Sequence, residues 1–244
     1  GTEVRLTLQR NGKREPLEVK VIRELIDIPT IDTEVRTGAR AQGTPETTAP
    51  QRTDVFVIKL YNFSANSPRV FRDALRIFAE TGGDKLLIDL RGNPGGFLEA
   101  AVDIASWFLP AGTVVVTEDY GKKGENRVHR SRGYNVFTNR LKLVILVNNG
   151  SASASEILAG ALREHGKAKL VGSKTFGKGS VQELVKITPD AALKVTVARW
   201  LTPNGISISE GGLTPDIEVK LTQEDLEKKR DPQMEKAIEL VTKP

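Results

Sequence analysis

The chain contains no cysteine and only two histidines among its 244 residues. Without cysteine there can be no disulfide, no thiolate nucleophile and no cysteine-ligated zinc site. Histidine is the side chain most often used as a general base, and its scarcity leaves only His129 and His165 for that role. Cysteine-free composition is compatible with an exported protein but does not establish export.

Long hydrophobic runs and strong charge are missing as well. The longest apolar run, 141–147, is interrupted by Lys142 and is far shorter than the ~20 residues that a membrane-spanning helix needs. The net charge is a mild +5, and the one basic cluster, 122–132, has little aromatic interleaving. We interpret this cluster as a solvated loop, and we predict neither nucleic-acid binding nor membrane insertion.

The first part of the chain predicts a β-hairpin followed by loops. Apolar and polar residues alternate over 4–8 and again over 17–21, with an Asn-Gly turn at 11–12. Two strands cannot bury their apolar face alone, so this hairpin belongs to a small domain or packs on the main body. An extended segment follows, and residues 37–53, rich in Gly, Pro, Thr and Gln, predict a mobile loop.

From residue 54 onward, buried strands alternate with amphipathic helices. This succession predicts an α/β fold in which helices cover parallel strands. The predicted elements are strands at 54–63, 85–90, 113–117 and 141–147, and helices at 67–81, 97–108 and 154–165. Residues 118–139 form a polar excursion. Later strands are predicted at 168–171, 181–187, 193–200 and 206–209, and one amphipathic helix is predicted at 223–241.

Ser153 lies where the strand at 141–147 passes into a helix. The first N–H groups of a helix have no partner within it, and the helix dipole favours negative charge there, which suits an alkoxide or an oxyanion. Gly150, Ala152 and Ala154 are small enough to let a substrate backbone approach. The spacing from Ser153 to Glu156 equally fits a capping box, in which the serine only closes the helix.

A base for Ser153 is hard to find among the histidines. His165 lies twelve residues further along the same predicted helix, about 18 Å away at ~1.5 Å per residue. His129 falls in the charged excursion and is predicted to be solvated. A lysine can act as the base where burial lowers its pKa. Lys178, between two glycines and near apolar residues, is the better candidate, because Lys174 is predicted to be exposed.

Two glycine-rich segments have alternative interpretations. Residues 172–178 match most of the phosphate-binding pattern G-x-x-x-x-G-K-[ST], but Gly179 replaces the hydroxyl residue and a strand is predicted to follow, so we do not favour nucleotide binding. The RGNPGG turn at 91–96 exposes N–H groups after a core strand and is a candidate source of an oxyanion donor. It equally fits a simple connection between a strand and a helix.

Five motifs together resemble the carboxy-terminal processing (tail-specific) proteases, a family of serine-lysine peptidases. They recur in the family's order and cover nearly all of residues 52–241. The motifs are DLRGNPGG (89–96), VNNGSASASEILAGAL (147–162), GSKTFGKGSVQ (172–182), WLTPNG (200–205) and GLTPDIEV (212–219).

The resemblance implies a role for three side chains. Ser153 corresponds to the nucleophile, Lys178 to the general base, and Gln182 to the residue that orients the lysine. An amide is suited to that task because a carboxylate partner would favour the charged lysine and disable the base. The implied reaction is peptide-bond hydrolysis through an acyl-enzyme, with no cofactor and no metal.

The resemblance also implies an oxyanion hole and a fold. The hole would pair the N–H of Ala154 with that of Gly95 or Gly96. The core would be like that of crotonases and Clp proteases, with layered sheets, and a PDZ domain would be inserted near the N-terminus. We therefore assign 1–24 to the last strands of a PDZ domain, 25–53 to a connecting segment and mobile loop, 54–222 to the protease core and 223–244 to a C-terminal helix.

The implied substrates are proteins or peptides that are bound through a C-terminal tail and cut near it. The family resemblance implies an extracytoplasmic location, in the periplasm, cell envelope or a lumen, and it is compatible with a homo-oligomer or a regulatory partner. Two rival functions stay open. One is a non-catalytic binding or scaffold protein, which the joint presence of serine, lysine and glutamine disfavours. The other is a crotonase-like acyl-CoA enzyme, for which we find no CoA phosphate site in the sequence.

Overall fold

The computed structural model describes residues 1–12, 14–25, 29–37, 54–137, 139–209 and 211–243. The predicted mobile loop lies outside these residues from position 38 onward. In chain order the elements are β1 Glu3–Leu8, β2 Leu17–Ile22, β3 Ile31–Thr37, β4 Asp54–Leu60, α1 Ser67–Glu80, β5 Lys85–Asp89, α2 Leu98–Ala105, β6 Val114–Asp119, β7 Arg127–Arg130, β8 Lys142–Val147, α3 Ala154–Glu164, β9 Lys169–Gly172, β10 Ser180–Lys186, β11 Ala192–Leu201, β12 Ile217–Glu218, α4 Gln223–Glu227 and α5 Pro232–Thr242.

The main sheet has six strands in the order β12-β9-β8-β5-β4-β3. Its five consecutive strands from β12 to β4 are parallel, and β3 is added antiparallel at the edge. The extended segment before residue 37 thus contributes an edge strand. Helices lie in the connections from β4 to β5, β5 to β8 and β8 to β9, whereas β9 and β12 are connected through β10 and β11. The α/β class predicted from the alternation of strands and helices is confirmed.

Helices cover both faces of this sheet, which explains why its strands are almost continuously apolar. Alternate strand residues such as Ile58, Ile88 and Ile145 pack with side chains of α1, α2 and α3 in one cluster. The residues between them pack with α5 in a second cluster. Each such aliphatic or aromatic side chain contributes roughly 1.5–3 kcal/mol when it is fully buried.

The carboxyl ends of the parallel strands meet at one edge of the sheet, where ligands bind in open α/β folds. The glycine turn (91–96) follows β5, the serine segment (148–153) follows β8, and the lysine segment (173–179) follows β9. Past the end of β4, Phe63 forms an isolated parallel bridge with Gly96 of the glycine turn. Motifs that are far apart in the sequence are therefore neighbours in space.

A second sheet corrects the prediction of a polar excursion at 118–139. Its order is β10-β11-β6-β7, so part of the excursion is the strand β7, paired with β6. His129 on β7 lies 2.7 Å from Glu118 through its Nε2 atom, and its side chain is only 18% exposed. The prediction of a solvated His129 is wrong, because the buried carboxylate of Glu118 provides a partner that charge patterning did not show.

The C-terminal segment also differs from the prediction. The single helix expected over 223–241 is two helices, α4 and α5. The break has a local cause: Pro232 occupies the first turn of α5, and the side chain of Asp231 caps that turn by accepting the N–H of Met234 at 3.0 Å. Residues 206–209 form only an isolated bridge, Leu201 with Ser207, instead of the predicted strand.

The N-terminal hairpin is confirmed, with β1 and β2 antiparallel and paired only with each other among the described strands. Within the described ranges, no helix combines the length and the apolar character needed to cross a bilayer.

Candidate active site

Ser153 occupies a strained backbone position at the start of α3. Its φ of 55° and ψ of −114° place a non-glycine residue at positive φ, a conformation that costs on the order of 1–3 kcal/mol and is concentrated at functional sites. The half of the predicted capping box that uses the backbone of Ser153 is present: its N–H donates to Glu156 Oε2 at 2.9 Å, while its side chain makes no cap hydrogen bond within the described residues. The cap and a catalytic role are compatible, since the box uses the backbone N–H of the serine.

Glu156 joins the serine segment to the lysine segment. Its Oε2 accepts the N–H groups of Ser153 (2.9 Å) and Lys178 (3.0 Å). Its Oε1 accepts the hydroxyl of Thr175 (2.5 Å) and the N–H of Gly177 (2.7 Å). The residue is fully buried, and no cation pairs with it within the described part of the chain. Four hydrogen bonds therefore compensate for the burial of this carboxylate.

Sequence reasoning treated Glu156 only as a capping partner and missed this bridging role. An available signal was its setting: a glutamate lies among small and apolar residues of a helix that is otherwise buried over 154–162. Acidic side chains are almost never fully buried unless they are paired.

Asn93 holds the glycine turn against both β4 and the serine segment. Its Nδ2 donates to the carbonyl oxygen of Leu60 at 2.7 Å. The main-chain carbonyl oxygen of Asn93 accepts the N–H of Ala152 and the hydroxyl of Ser155. Its Oδ1 accepts the N–H of Gly95 at 2.9 Å. The side chain is completely buried, so the turn and the serine segment form one packed unit.

The two candidate oxyanion glycines differ in what their N–H groups do. The N–H of Gly95 is bound to Asn93, whereas that of Gly96 has no hydrogen-bond partner among the described residues. The N–H of Ala154, the first of α3, is likewise without a partner in the described ranges. Gly96 has a φ of 147°, and a Cβ there would lie 2.2 Å from the carbonyl oxygen of Phe63. This geometry favours Gly96 over Gly95 as the second donor.

The glycine turn also lies directly against the serine segment. A Cβ built on Gly95 would lie 2.8 Å from Ser153 Cβ and 2.9 Å from the nitrogen of Ala154. Any side chain at this position would push the turn away from the start of α3. Close approach of two backbones explains why glycine is needed here.

The lysine segment is held through its backbone, and its residues alternate between buried and solvent-exposed positions. Thr175 and Gly179 face inward, where a Cβ on Gly179 would lie 2.2 Å from the nitrogen of Ser209. Lys174, Phe176 and Lys178 face solvent. The prediction of an exposed Lys174 is confirmed.

The prediction that apolar neighbours bury Lys178 is wrong for this structure. Its side chain is exposed, and Phe176 is 60% exposed. The Nζ atom has no hydrogen bond or ion pair to any residue that the structure describes. Gln182 is also exposed and lies on β10 opposite Thr196, directly after a β-bulge. The backbone positions of the expected base and its partner are set, but their side chains are not engaged with Ser153.

Neither histidine belongs to this site. His165 ends α3, at the opposite end from Ser153, and its Nε2 lies 2.7 Å from the carbonyl oxygen of Val114. His129 pairs with Glu118 in the second sheet. The segment after Lys178 is the strand β10, as expected when the phosphate-loop interpretation was set aside.

A network of two ion pairs adjoins the glycine turn, in which Arg91 and Asp89 are largely buried and the Asp231 side chain is 43% exposed. Arg91, the first residue of the turn, donates to Asp89 through Nε and Nη2 and to Asp231 through Nη1 and Nη2, at 2.8–3.0 Å. Burial opposes the guanidinium charge, but these hydrogen bonds outweigh it and raise the pKa of Arg91 above its ordinary value. Burial alone would raise the pKa of Asp231, yet the bonds from Arg91 and from the N–H of Met234 lower it below the usual range.

The lowered pKa of Asp231 predicts a pH-dependent contribution to stability. A carboxyl group whose pKa is lower in the folded than in the unfolded protein stabilises the fold at pH values above its pKa in the unfolded chain, which is near 4. This contribution is lost as the pH falls through the pKa in the folded protein. We therefore expect wild type to unfold at a higher temperature than Asp231→Asn at pH 7, and this difference to shrink below about pH 4. Melting curves of both proteins between pH 7 and pH 2.5 measure it. A difference that grows on acidification would contradict the prediction.

Comparison with known proteins supplies the family. The model of peptidase family S41 matches residues 54–219. The carboxyl-terminal-processing protease of Synechocystis sp. is 36% identical over 244 residues, covering 99% of this chain and 54% of its own length. The carboxy-terminal-processing protease of Bartonella bacilliformis is 34% identical over 224 residues, covering 90% of this chain and 48% of its own length. The chain thus spans about half the length of these relatives.

A solved structure agrees. The photosystem II D1 C-terminal processing protease superposes with a TM-score of 0.75 at 26% identity, over 99% of this chain and 60% of that one. The family match covers more than half of the chain, and the relatives align over nearly all of it. On this basis the chain belongs to peptidase family S41, together with the carboxyl-terminal-processing proteases.

Proposed function

We propose that the chain is a serine endopeptidase that cuts proteins near their C-termini, with Ser153 as nucleophile and Lys178 as general base. The observation that carries this proposal is the Glu156 carboxylate, which accepts the backbone N–H groups of both residues. A single buried group thus sets the distance between the two backbones. A glutamate that only capped the helix would not need to accept the N–H of Lys178 as well.

The proposed first step is acylation of the enzyme. The neutral amine of Lys178 takes the proton of Ser153, and the serine oxygen attacks the scissile carbonyl carbon. The N–H groups of Ala154 and Gly96 bind the oxyanion that forms. When the tetrahedral intermediate collapses, the peptide C–N bond breaks, and the lysine returns the proton to the leaving amine. Water then hydrolyses the acyl-enzyme by the same route and restores Ser153.

The exposed position of Lys178 indicates how substrate enters this mechanism. A lysine amine in water is ordinarily protonated and cannot accept a proton. A peptide bound over the site would exclude water from the lysine and favour its neutral form. Gln182 would then hold the amine through a hydrogen bond that adds no charge. Activation by the bound substrate is consistent with a Lys178 whose backbone is already held by Glu156 and whose side chain is still exposed to solvent.

The remaining parts of the proposal come from the family. We propose that the core is crotonase- and Clp-protease-like, that β1 and β2 are the last strands of a PDZ domain, and that substrates are bound through their C-terminal tails. The printed names of the relatives, carboxyl-terminal-processing proteases, support this choice of substrate. An extracytoplasmic location, and a homo-oligomer or a regulatory partner, also remain proposals.

Trapping of the acyl-enzyme tests the proposed function. The protein is mixed with a peptide that has an apolar C-terminal tail, quenched in acid within milliseconds to seconds, and digested with trypsin. We expect a peptide-acyl adduct on the fragment of residues 143–163, localised to Ser153 by fragmentation, together with cleavage products. The same peptide with an amidated C-terminus tests whether the free carboxylate matters. Binding of the peptide without products or adduct would overturn the proposal and favour a non-catalytic relative.

A further inference from the structure

We propose that Asp231, at the start of α5, is a positioning residue for the oxyanion hole and acts through Arg91. This inference rests on the proposed function, because it concerns the turn that carries Gly96. Asp231 lies twelve residues beyond the segment that the family model matches, which ends at residue 219. The C-terminal helix would therefore take part in the chemistry without touching the substrate.

The contact between Asp231 and the turn is bidentate. Arg91 Nη1 donates to Asp231 Oδ1 and Arg91 Nη2 to Asp231 Oδ2, each at 2.8 Å. Two parallel hydrogen bonds of this kind set the orientation of the guanidinium as well as its position. The other edge of the same guanidinium is held by Asp89 at the end of β5. Arg91 is thus fixed between the sheet and the C-terminal helix.

Asp231 is itself firmly placed. Its Oδ1 caps α5 by accepting the N–H of Met234. The buried side chains of Met234, Ala237 and Val241 pack on the face of the sheet opposite α1, α2 and α3. Gln233 adds a bond from its Nε2 to the carbonyl oxygen of Val219 at 2.8 Å. The Asp231 side chain is 43% exposed, but these contacts fix the start of its helix, so its carboxylate can anchor the arginine.

The turn depends on such contacts because its glycines do not by themselves restrict the backbone to one conformation. Gly92, Gly95 and Gly96 all have positive φ, a region in which glycine has great freedom in the unfolded chain. Asn93 fixes the middle of the turn, and Arg91 fixes its start. A shift of the turn would move the N–H of Gly96 relative to Ser153. A displacement of about 1 Å in a catalytic group can cost about a hundredfold in rate.

Asp231→Asn tests the inference, with Glu239→Gln as the matched control. Asparagine keeps the capping oxygen but loses the charge-assisted bidentate pair. Glu239 lies on the same helix, about 12 Å further along at ~1.5 Å per residue, and pairs with Lys236 and Lys243. The control therefore removes an equal charge away from Arg91. We expect Asp231→Asn to lower kcat by about tenfold or more with KM nearly unchanged, since binding is not affected. The control should retain wild-type kinetics.

Amide hydrogen exchange supplies a readout that does not depend on activity. At a temperature well below both melting transitions, the amides of residues 91–97 should exchange several-fold faster in Asp231→Asn than in Glu239→Gln, while those of α5 stay equally protected. Equal exchange in the turn for both variants would overturn the inference, as would loosening of α5 to the same extent as the turn. If the wild type forms no acyl-enzyme, the proposed function fails, and the exchange experiment still decides whether Asp231 positions the turn.

Discussion

Lys178→Met is expected to lower kcat/KM by at least about a thousandfold, because it removes the proposed proton acceptor. The melting temperature should change little. The side chain is exposed and makes no hydrogen bond within the described ranges, whereas the backbone contact to Glu156 stays in the variant. Surface substitutions of this kind are usually within about 0.5 kcal/mol, or about 1–2 °C for a chain of this size. Steady-state cleavage and thermal melts measure the two effects.

Lys174→Met is the matched control for this prediction. Lys174 is exposed on the same segment and carries the same charge, so its loss reports on surface electrostatics alone. Ser153→Ala should match Lys178→Met in activity, because residues that act as one catalytic unit are not additive. Lys178→Arg should be as inactive as the methionine variant, since a guanidinium stays protonated. Substantial cleavage by Lys178→Met, or an equal loss in Lys174→Met, would refute the lysine base.

Glu156→Gln should damage both stability and activity. One of the two carboxylate oxygens becomes an NH₂ group. This group faces two hydrogen-bond donors and cannot accept a hydrogen bond from either. Unsatisfied buried donors cost roughly 1–3 kcal/mol each, so we expect a loss of about 2–4 kcal/mol in the free energy of unfolding. The backbones of Ser153 and Lys178 would lose their common partner, and we expect kcat to fall by about a hundredfold.

Glu99→Gln separates this effect from simple helix electrostatics. Glu99 lies in the first turn of α2, as Glu156 does in α3, but it is exposed. Its neutralisation removes only the favourable interaction with the helix dipole, about 0.3–1 kcal/mol. Urea unfolding and cleavage assays compare the two variants. Similar small losses in both would show that Glu156 is no more than a helix cap.

Much of the fold followed from local patterns. The two-residue alternation of the N-terminal hairpin and the succession of apolar strands and helices from residue 54 predicted elements that the structure contains. These signals survive because periodicity must match the face that an element buries. The helix expected at 223–241 failed where a competing local signal, Asp231 before Pro232, starts a new helix. The strand at 127–130 was hidden by its charged residues, which lie on an exposed edge.

For the candidate site as well, local patterns predicted some features and only the tertiary structure showed the others. Residue types and spacing alone brought out Ser153 at the start of a helix, excluded His165 by distance and set aside the phosphate loop. Only the tertiary structure decided that Glu156 bridges the serine and lysine segments and that the side chain of Lys178 faces solvent. It also decided that the N–H of Gly96, unlike that of Gly95, has no partner among the described residues. The physical reason is the range of the interactions. Helix starts and strand periods depend on neighbours in the chain, whereas burial and hydrogen-bond partners depend on segments that meet only after the parallel strands have assembled.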